Sequence, residues 1–308
     1  MGGMLGAIEA GGTKFVCAVG RAGSVVERAQ FATGDRPEVV LAQVVEWLRE
    51  REQQWGRLAA LGVASFGPVE LDDRSPKYGF ITTTPKRGWA HTDVLGPLRR
   101  AFEGRPIGFD TDVNGAALGE GRYGAARGLE DFVYVTAGTG IGGGAVARGR
   151  LLHGLLHPEM GHIPMPMLDG DTFEGVCPYH GRCWEGLCSG PAIERRTGRA
   201  AEELAPDDPA WDLTARYMAH AFVTLTCVLS PRRILLGGSV RKGGRLGESA
   251  FFEAMRRHYR AALAGYIQAP ELDAGRIAGF LVPPDLGDNA GVCGALALAE
   301  DAWGAQQA

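Results

Sequence analysis

The sequence lacks the features that mark a membrane-inserted or exported chain at its start. The apolar residues 4–8 are followed by Glu9, and no basic region precedes them, so neither a membrane span nor a signal peptide is predicted. The chain also lacks an excess of charge, because 32 basic and 36 acidic residues give a net charge of -4. We therefore expect a cytoplasmic protein that binds neither nucleic acid nor a membrane and holds any anionic ligand locally.

Low-complexity linkers are absent as well. An apolar content of 45% and a charged content of 22% are ordinary for a globular protein. Because 308 residues exceed the usual size of a single core, two domains are expected, with ligands in a cleft between them. Three of the six cysteines, at positions 177, 183 and 188, fall within twelve residues. In a reducing compartment this clustering favours metal binding over disulfides.

The order of apolar segments predicts an α/β fold. Predicted strands, separated by glycine-rich turns or by helices, cover residues 5–8, 15–19, 25–30, 60–64, 107–109, 132–136, 144–148, 151–152, 233–236 and 277–282. Predicted helices cover residues 37–54, 93–102, 116–123, 191–197, 210–229, 246–264 and 289–303.

The two halves of the chain begin alike, each with an apolar strand that enters a turn of small residues. This internal similarity indicates a duplicated architecture with two related sheets facing one another. We place an N-terminal α/β domain at residues 1–111, with the C-terminal helix 289–308 packing back on it. The second α/β domain is placed at residues 112–288.

Three glycine clusters are candidate phosphate or nucleotide contacts, because backbone N–H groups can wrap an anion where no Cβ intervenes. Tight hairpin turns are the alternative for the first two clusters, whereas the third would let a flat adenine or ribose approach the backbone. Neither P-loop nor Rossmann spacing is present, so the phosphate interpretation depends on two such turns at equivalent points of two halves. The residues are Gly11, Gly12, Thr13 and Lys14, then Thr136, Gly138, Thr139 and Gly140, and finally Gly237 and Gly238.

Polar residues 110–114 lie where a predicted strand ends and a helix begins. Asp112 is the candidate general base, because phosphoryl transfer needs one carboxylate within reach of the acceptor hydroxyl. Helix capping by Asp or Asn is the alternative interpretation.

The sequence also predicts a closed tetrahedral zinc site. The motif Cys177-x2-His180-x2-Cys183 places three ligands in one loop, and His162 supplies a fourth. Such a site leaves no open position for water, so the metal braces the loop. It would thereby fix Glu159 and Glu185 near one another as hydroxyl acceptors, although both are compatible with solvated surface positions.

Taken together, these segments resemble the ROK family of bacterial sugar kinases, in the actin-like ATPase superfamily. The resemblance covers nearly the whole chain and follows the family's order. The matching segments are residues 9–14 (EAGGTK), 112–120 (DVNGAALGE), 136–144 (TAGTGIGGG), 158–162 (PEMGH), 183–185 (CWE) and 189–193 (SGPAI).

The resemblance implies a two-domain actin-like fold with Asp112 as catalytic base and with Asn114, Glu159, His162 and Glu185 as sugar ligands. It assigns the glycine turns to ATP with Mg²⁺, gives His162 a second role at the zinc, and implies a homodimer. Many family members have Asp where this chain has Glu9, which leaves the metal role of Glu9 open.

His180 within the zinc motif and residues 82–89 (TTTPKRGW) resemble the fructokinase branch of the family. Lys86 and Trp89 are therefore candidate sugar-selecting residues, with an ordinary surface turn as the alternative. The expected activity is transfer of the ATP γ-phosphoryl group to the 6-hydroxyl of D-fructose. Mannokinase or glucokinase is the nearest alternative. A sugar-responsive regulator is disfavoured because the first strand begins by Leu5, with no helix-turn-helix before it. A catalytically silent sugar-binding protein is disfavoured because Asp112 is present.

Overall fold

The computed structural model describes residues 3–21 and 23–307, which fold as an α/β protein of two compact units. The first unit comprises Met1–Gly128, Leu151–His157 and Asp285–Ala308, and the second comprises Leu129–Arg150 and Pro158–Pro284. Each unit contains one five-stranded mixed sheet.

The sheet of the first unit brings three strand ends to one edge. Its strands are β1 (Met4–Ala10), β2 (Lys14–Arg21), β3 (Ser24–Ala32), β4 (Leu58–Ser65) and β5 (Ile107–Thr111), in the order β3-β2-β1-β4-β5. The first three strands are antiparallel, whereas β4 and β5 run parallel to β1. Since the carboxyl ends of parallel strands share an edge, Ala10, Ser65 and Thr111 end at the same side of the sheet.

Helices cover both faces of this sheet. They are α1 (Pro37–Trp55), α2 (Leu95–Ala101), α3 (Asp112–Tyr123) and α8 (Ala290–Gln307). Helix α1 buries Val40, Leu41, Val44 and Leu48, a spacing that lines one helical face. Helix α8 packs its apolar residues into a second core with Ala7, Ala18 and Ala60. The first unit is therefore closed by the last helix of the chain.

The second unit repeats the strand order of the first. Its strands are β6 (Phe132–Ala137), β7 (Ile141–Ala147), β8 (Arg150–Leu151), β9 (Ile234–Gly237) and β10 (Leu281–Val282), in the order β10-β9-β6-β7-β8. Strand β6 occupies the position of β1, with an antiparallel neighbour on one side and the parallel β9 on the other. The duplication predicted from the two glycine turns is thus present in the strand order.

The helices of the second unit begin at side-chain caps or a glycine. They are α4 (Trp184–Cys188), α5 (Gly190–Thr197), α6 (Pro209–Leu229) and α7 (Glu248–Leu263). Cys183, Ser189 and Asp208 cap the first three by accepting backbone N–H groups. Among the helices of residues 3–21 and 23–307, none is long and apolar enough to cross a membrane.

The predicted elements agree with the structure except at a few boundaries and at α4, which was not predicted. Residues 277–279 form a 3₁₀ turn, so the last strand is confined to Leu281–Val282, because local turn hydrogen bonds bind these residues before the strand begins. Helix α3 begins at Asp112 and not at residue 116. The contacts also group residues 112–128 and 151–157 with the first unit, whereas the sequence-based boundary lies after residue 111.

Candidate active site

The junction of β5 and α3 carries the candidate general base. Thr111 caps the helix, since its Oγ1 accepts the Asn114 N–H at 3.1 Å. Asp112 is the first helical residue, and its Oδ1 accepts the N–H of the adjacent Val113 at 2.9 Å. Because Thr111 already serves as the cap, the carboxylate of Asp112 is not needed for that task.

Two carboxylates at this edge have raised pKa values. Burial raises the pKa of Asp112 to about 6, and hydrogen bonds to backbone N–H groups oppose the shift. Burial, followed by the negative charge of Asp112, raises the pKa of Glu9 to about 7. Lys14 partly offsets this rise, whereas Asp288 adds to it. Asp112 is therefore mostly ionised at neutral pH and close to protonation, as a general base must be.

A buried hydrogen-bond network surrounds the same junction. Asp110 is 3% exposed, and its Oδ1 accepts the Thr111 N–H and the Asn114 Nδ2–H, both at 2.7 Å. Its Oδ2 lies 2.9 Å from His153 Nε2. This hydrogen bond is the largest cause that raises the pKa of His153. Asn114 is completely buried, and its Oδ1 has no partner among the described residues.

Asp110 was expected at the strand end beside Asp112 but was given no role, and His153 was not predicted. The position of Asp110 at a strand end, two residues before Asp112, was a usable signal. No such signal exists for His153, which lies 43 residues along the chain in a turn of no recognisable motif.

The first glycine turn is a tight hairpin with exposed residues. The Gly11 N–H donates to the Lys14 carbonyl at 3.0 Å, while Thr33 Oγ1 donates to the Gly11 carbonyl at 2.7 Å. Gly12, Thr13 and Lys14 are exposed, and a side chain at Gly12 would meet nothing within 4 Å. The turn is therefore rigid at its base and open at its tip, which is compatible with both alternatives, hairpin turn and phosphate contact.

The second unit brings the other two glycine clusters together. Gly238 has a φ of 84° and packs on the Ala137 backbone so closely that any Cβ would overlap it. A Cβ at Gly138 would lie 3.6 Å from Ser239 Oγ. The turn after β6 thus lies against the turn after β9. Thr136 is half-buried near the end of β6, and in the turn that follows, Thr139 is exposed and Gly140 is half-buried.

The predicted zinc ligands lie together in the second unit. The ligand atoms of His162, Cys177, His180 and Cys183 all lie within 4.8 Å of one another. Cys177 Sγ is 3.7 Å from His162 Nδ1 and 3.7 Å from His180 Nδ1, and Cys183 Sγ is 3.6 Å from His162 Nδ1. Zinc bonds of about 2.3 Å to sulfur and about 2.0–2.1 Å to nitrogen place S and N about 3.6 Å apart in a tetrahedron. The donor set and spacing fit one such ion.

Local hydrogen bonds explain why these ligands converge. The Gly181 N–H donates to the Cys177 carbonyl at 3.0 Å, which closes a tight turn around His180. Cys183 caps α4 and accepts the Gly186 N–H at its Sγ. The Trp184 N–H donates to the Ile163 carbonyl at 3.1 Å, so the loop is fastened beside His162.

Glu185 and Glu159 occupy different environments. Glu185 Oε2 accepts the Ile141 N–H at 2.9 Å and lies over Gly140, where any Cβ would approach it to 2.6 Å. This contact ties α4 to the start of β7. Glu159 is exposed at the start of the 3₁₀ turn Met160–His162, and its carbonyl accepts the His162 N–H at 3.0 Å.

The structure changes the assignment of Trp89. Its side chain is completely buried, lies 5.4 Å and 5.3 Å from the rings of Phe15 and Phe66, and donates its Nε1–H to the Gly34 carbonyl. A ring enclosed in this way, with its Nε1–H already paired, is a core residue and offers no unpaired polar atom to a sugar. Lys86 lies half-buried in the turn that precedes it, and its carbonyl accepts the Trp89 N–H.

These features define an α/β protein with a duplicated sheet, a carboxylate of raised pKa at a strand end and glycine turns at equivalent hairpins. Residues 5–302 match the ROK family. The chain belongs to this family.

Relatives cover almost the whole chain. It is 44% identical to a fructokinase of Zymomonas mobilis over 96% of this chain and 95% of the relative. It is 41% identical to a fructokinase of Pediococcus pentosaceus over 97% of this chain and 98% of the relative. Among solved structures, a ROK hexokinase from Thermus thermophilus superposes with a TM-score of 0.79 at 28% identity, covering 99% of this chain and 100% of that one. The ROK sugar-kinase fold implied by the resemblance is therefore confirmed.

Proposed function

We propose that this protein is an ATP-dependent fructokinase, which transfers the γ-phosphoryl group of ATP to the 6-hydroxyl of D-fructose. The main support for this proposal is Asp112, whose carboxylate is partly buried and has a pKa of about 6. A helix-capping role does not explain it, because Thr111 is the cap. The fructokinases to which the chain is 41–44% identical support the choice of sugar.

In this proposal Asp112 accepts the proton of the sugar hydroxyl as the oxygen–phosphorus bond forms and the bond to the leaving ADP breaks. Phosphoryl transfer requires little covalent work from the protein, because positioning and charge neutralisation supply most of the rate. The hydrogen bond from Val113 N–H to Asp112 Oδ1 holds the carboxylate at the helix start, where it can receive the proton.

The proposed nucleotide contacts are the three glycine turns. The exposed tip at Gly12 and Thr13 offers backbone N–H groups without side-chain obstruction. In the second unit, the turns at Gly138–Gly140 and Gly237–Gly238 lie against each other, and the exposed Thr139 is the most open point of the pair. Magnesium carried with ATP would neutralise phosphate charge as the transfer proceeds.

The proposed sugar ligands are carried over residue by residue from the family resemblance. They are Asn114, Glu159, His162 and Glu185, with Lys86 as a further candidate. The unpartnered Oδ1 of Asn114 supports this assignment most directly, since a buried acceptor without a donor costs about 1–3 kcal/mol.

We also propose that His162, Cys177, His180 and Cys183 hold a structural zinc ion. The supporting observations are the two-sulfur, two-nitrogen donor set and the 3.6–3.7 Å spacings between ligand atoms. The ion would hold the loop that carries Glu185 in place and take no part in the chemistry.

Steady-state kinetics with a panel of hexoses tests the proposed activity. We expect the highest kcat/KM for fructose, with mannose and glucose as the competing substrates. A preference of tenfold or more for glucose or mannose would replace fructokinase by the corresponding kinase. Absence of ATP-dependent phosphorylation of every hexose would overturn the proposal.

A homodimer and a cytoplasmic location accompany this proposal as expectations from the family resemblance. Analytical ultracentrifugation of the purified protein and fractionation of the producing cells test them separately. A monomer at micromolar concentration would refute the first, and recovery from a membrane or exported fraction the second.

A further inference from the structure

Among the residues that the structure describes, His153 is the basic group in contact with the buried carboxylate of Asp110. Its Nε2 lies 2.9 Å from Asp110 Oδ2, and the side chain of Asp110 is only 5% exposed. A buried carboxylate requires a charged or hydrogen-bonding partner for each oxygen. Backbone and amide donors satisfy Oδ1, whereas Oδ2 depends on His153.

Asp110 connects the residues on both sides of Asp112. Its Oδ1 accepts from the Thr111 N–H, one residue before Asp112, and from the side chain of Asn114, two residues after it. Rotation of the Asp110 carboxylate would release both contacts at once. By holding Oδ2, His153 fixes the rotation of this carboxylate.

The short segment that carries His153 is fastened at a second point. His157 Nε2 accepts the Val69 N–H at 3.1 Å, just beyond the end of β4. Gly154, Leu155 and Leu156 between the two histidines are exposed, and the Gly154 N–H donates to the Leu156 carbonyl. The position of His153 is therefore set by the fold of the first unit.

The network contains one unmet acceptor. Donation of Nδ2–H to Asp110 fixes the orientation of the Asn114 amide and leaves Oδ1 as a buried acceptor without a donor among the described residues. Buried polar atoms are nearly always paired in folded proteins, and the exceptions concentrate where a ligand or water is missing. This oxygen can therefore accept a hydrogen bond from a ligand hydroxyl.

We propose that His153 is a positioning residue for the sugar: through Asp110 it fixes Asn114, whose Oδ1 accepts a sugar hydroxyl, and aligns Asp112 beside it. This inference rests on the proposed sugar kinase function. The amide oxygen is closed to solvent in the structure, so the hydroxyl reaches it with a local side-chain adjustment of the kind common at binding sites. His153, whose side chain is 41% exposed, stays on Asp110 throughout.

A double-mutant cycle tests the route through Asp110. The variants are His153→Ala, Asp110→Asn and the double variant, assayed with the hexose that the wild type prefers. We expect His153→Ala to lower kcat/KM for the sugar at least tenfold and to leave the KM for ATP within twofold. In the Asp110→Asn background the same substitution should cost less than threefold. If Asp110→Asn has no measurable turnover, calorimetric titration with the sugar supplies the same comparison as dissociation constants.

Two variants separate positioning from folding. His153→Gln keeps a hydrogen-bond donor for Asp110 Oδ2. On a logarithmic scale, we expect it to recover at least half of the decrease in kcat/KM that His153→Ala causes. It also replaces His153→Ala in the test if that variant does not fold. His258→Ala removes a similar histidine–carboxylate contact, with Asp212 at 2.7 Å, from an exposed surface of the second unit, and should retain wild-type kinetics.

The inference is overturned if His153→Ala stays within twofold of wild type, if it raises the KM for ATP equally, or if its cost is the same with and without Asp110. A wild type that phosphorylates a hexose other than fructose changes the proposed substrate and leaves this test in force with that hexose. A wild type that binds no hexose overturns both proposals.

Discussion

At the scale of single residues, burial sets the protonation of the proposed base. The pKa of Asp112 lies at about 6 and that of Glu9 at about 7, and burial is the largest cause for both. Desolvation thus raises the pKa of Asp112, which makes its carboxylate a stronger base, and the same desolvation lowers the free energy of unfolding. Activity and stability should therefore respond in opposite directions when its charge is removed.

The first prediction concerns Asp112→Asn. We expect kcat to fall by about 10²–10⁴, because the general base is lost, while ATP binding is retained. Because the pKa of Asp112 is raised in the folded protein, its ionisation lowers the free energy of unfolding, and the full loss is present above pH 6. Removing this charge should therefore raise the free energy of unfolding of the variant by about 1–3 kcal/mol at pH 8. Chemical denaturation at pH 8 measures the gain, which should shrink at pH 4.5. The exposed Asp73→Asn is the matched control, and turnover near that of Asp73→Asn would refute the role of Asp112.

A second prediction is the pH profile of kcat/KM for the sugar. The base acts only when ionised, so kcat/KM should fall about tenfold per unit as pH drops below about 6 and level off above it. Glu9→Gln should keep the change of slope near pH 6. It should remove any second change of slope near pH 7 that ionisation of Glu9 causes. A profile that is flat from pH 5 to 7.5 would exclude Asp112 as the group that titrates.

Sequence patterns identify residues whose role is local and miss those whose role depends on distant contacts. Asp112 was identifiable because a strand end and a helix start adjoin it. His153 was not, because only the tertiary fold brings it to Asp110. Trp89 was assigned to the sugar from its motif, but the free energy of burying a large aromatic ring places it in the core.

At the scale of elements, a short loop carries the proposed zinc site between Met160 and α4. Its sulfur ligands are not bridged to each other, since Cys177 and Cys183 are both free thiols. The turn around His180 is exposed, with Pro178, Tyr179 and His180 at the surface. A metal ion is therefore expected to supply much of its local stability.

The third prediction follows from this arrangement. Cys177→Ser should reduce the zinc content from one ion per chain to near zero and increase proteolytic cleavage within residues 163–183, because the loop loses a ligand. Elemental analysis and limited proteolysis measure both effects. Cys188→Ala removes a buried thiol outside the ligand set and should keep the ion. Zinc content unchanged by Cys177→Ser would contradict the four-ligand assignment.

Element types were predictable from sequence, whereas some boundaries were not. Periodic apolar residues identified the long helices α1, α6 and α7 because one face of each is buried. The short strand β10 was overextended, since residues 277–279 are apolar in pattern but engaged in 3₁₀ hydrogen bonds. Five-residue α4 lacked any periodic signal, and its start depends on the cap at Cys183.

At the scale of the whole molecule, the chain builds one strand order twice. The duplication could be predicted from two glycine turns at matching points. The return of α8 to the first unit was also expected. The sequence did not predict that α3 and residues 151–157 belong to that unit. Their grouping depends on backbone contacts, which the spacing of apolar residues does not indicate.

Close helix contacts hold the last helix in the first unit. Gly294 of α8 faces Gly115 of α3 so closely that any Cβ at Gly294 would overlap the Gly115 backbone. Gly62 of β4 meets the backbone of α8 at Ala295 in the same way. Glycines at these positions allow backbones to approach where no side chain fits.

The last prediction compares two glycines of the same helix. Gly294→Ala should destabilise the chain by about 2 kcal/mol or more, because the added methyl forces α8 away from α3. Gly304→Ala is the matched control: nothing lies within 4 Å of its new methyl, so the higher helix propensity of alanine should stabilise by up to about 1 kcal/mol. Denaturant unfolding measures both variants. Equal effects of the two substitutions would show that the packing of α8 on α3 does not determine the stability of the first unit.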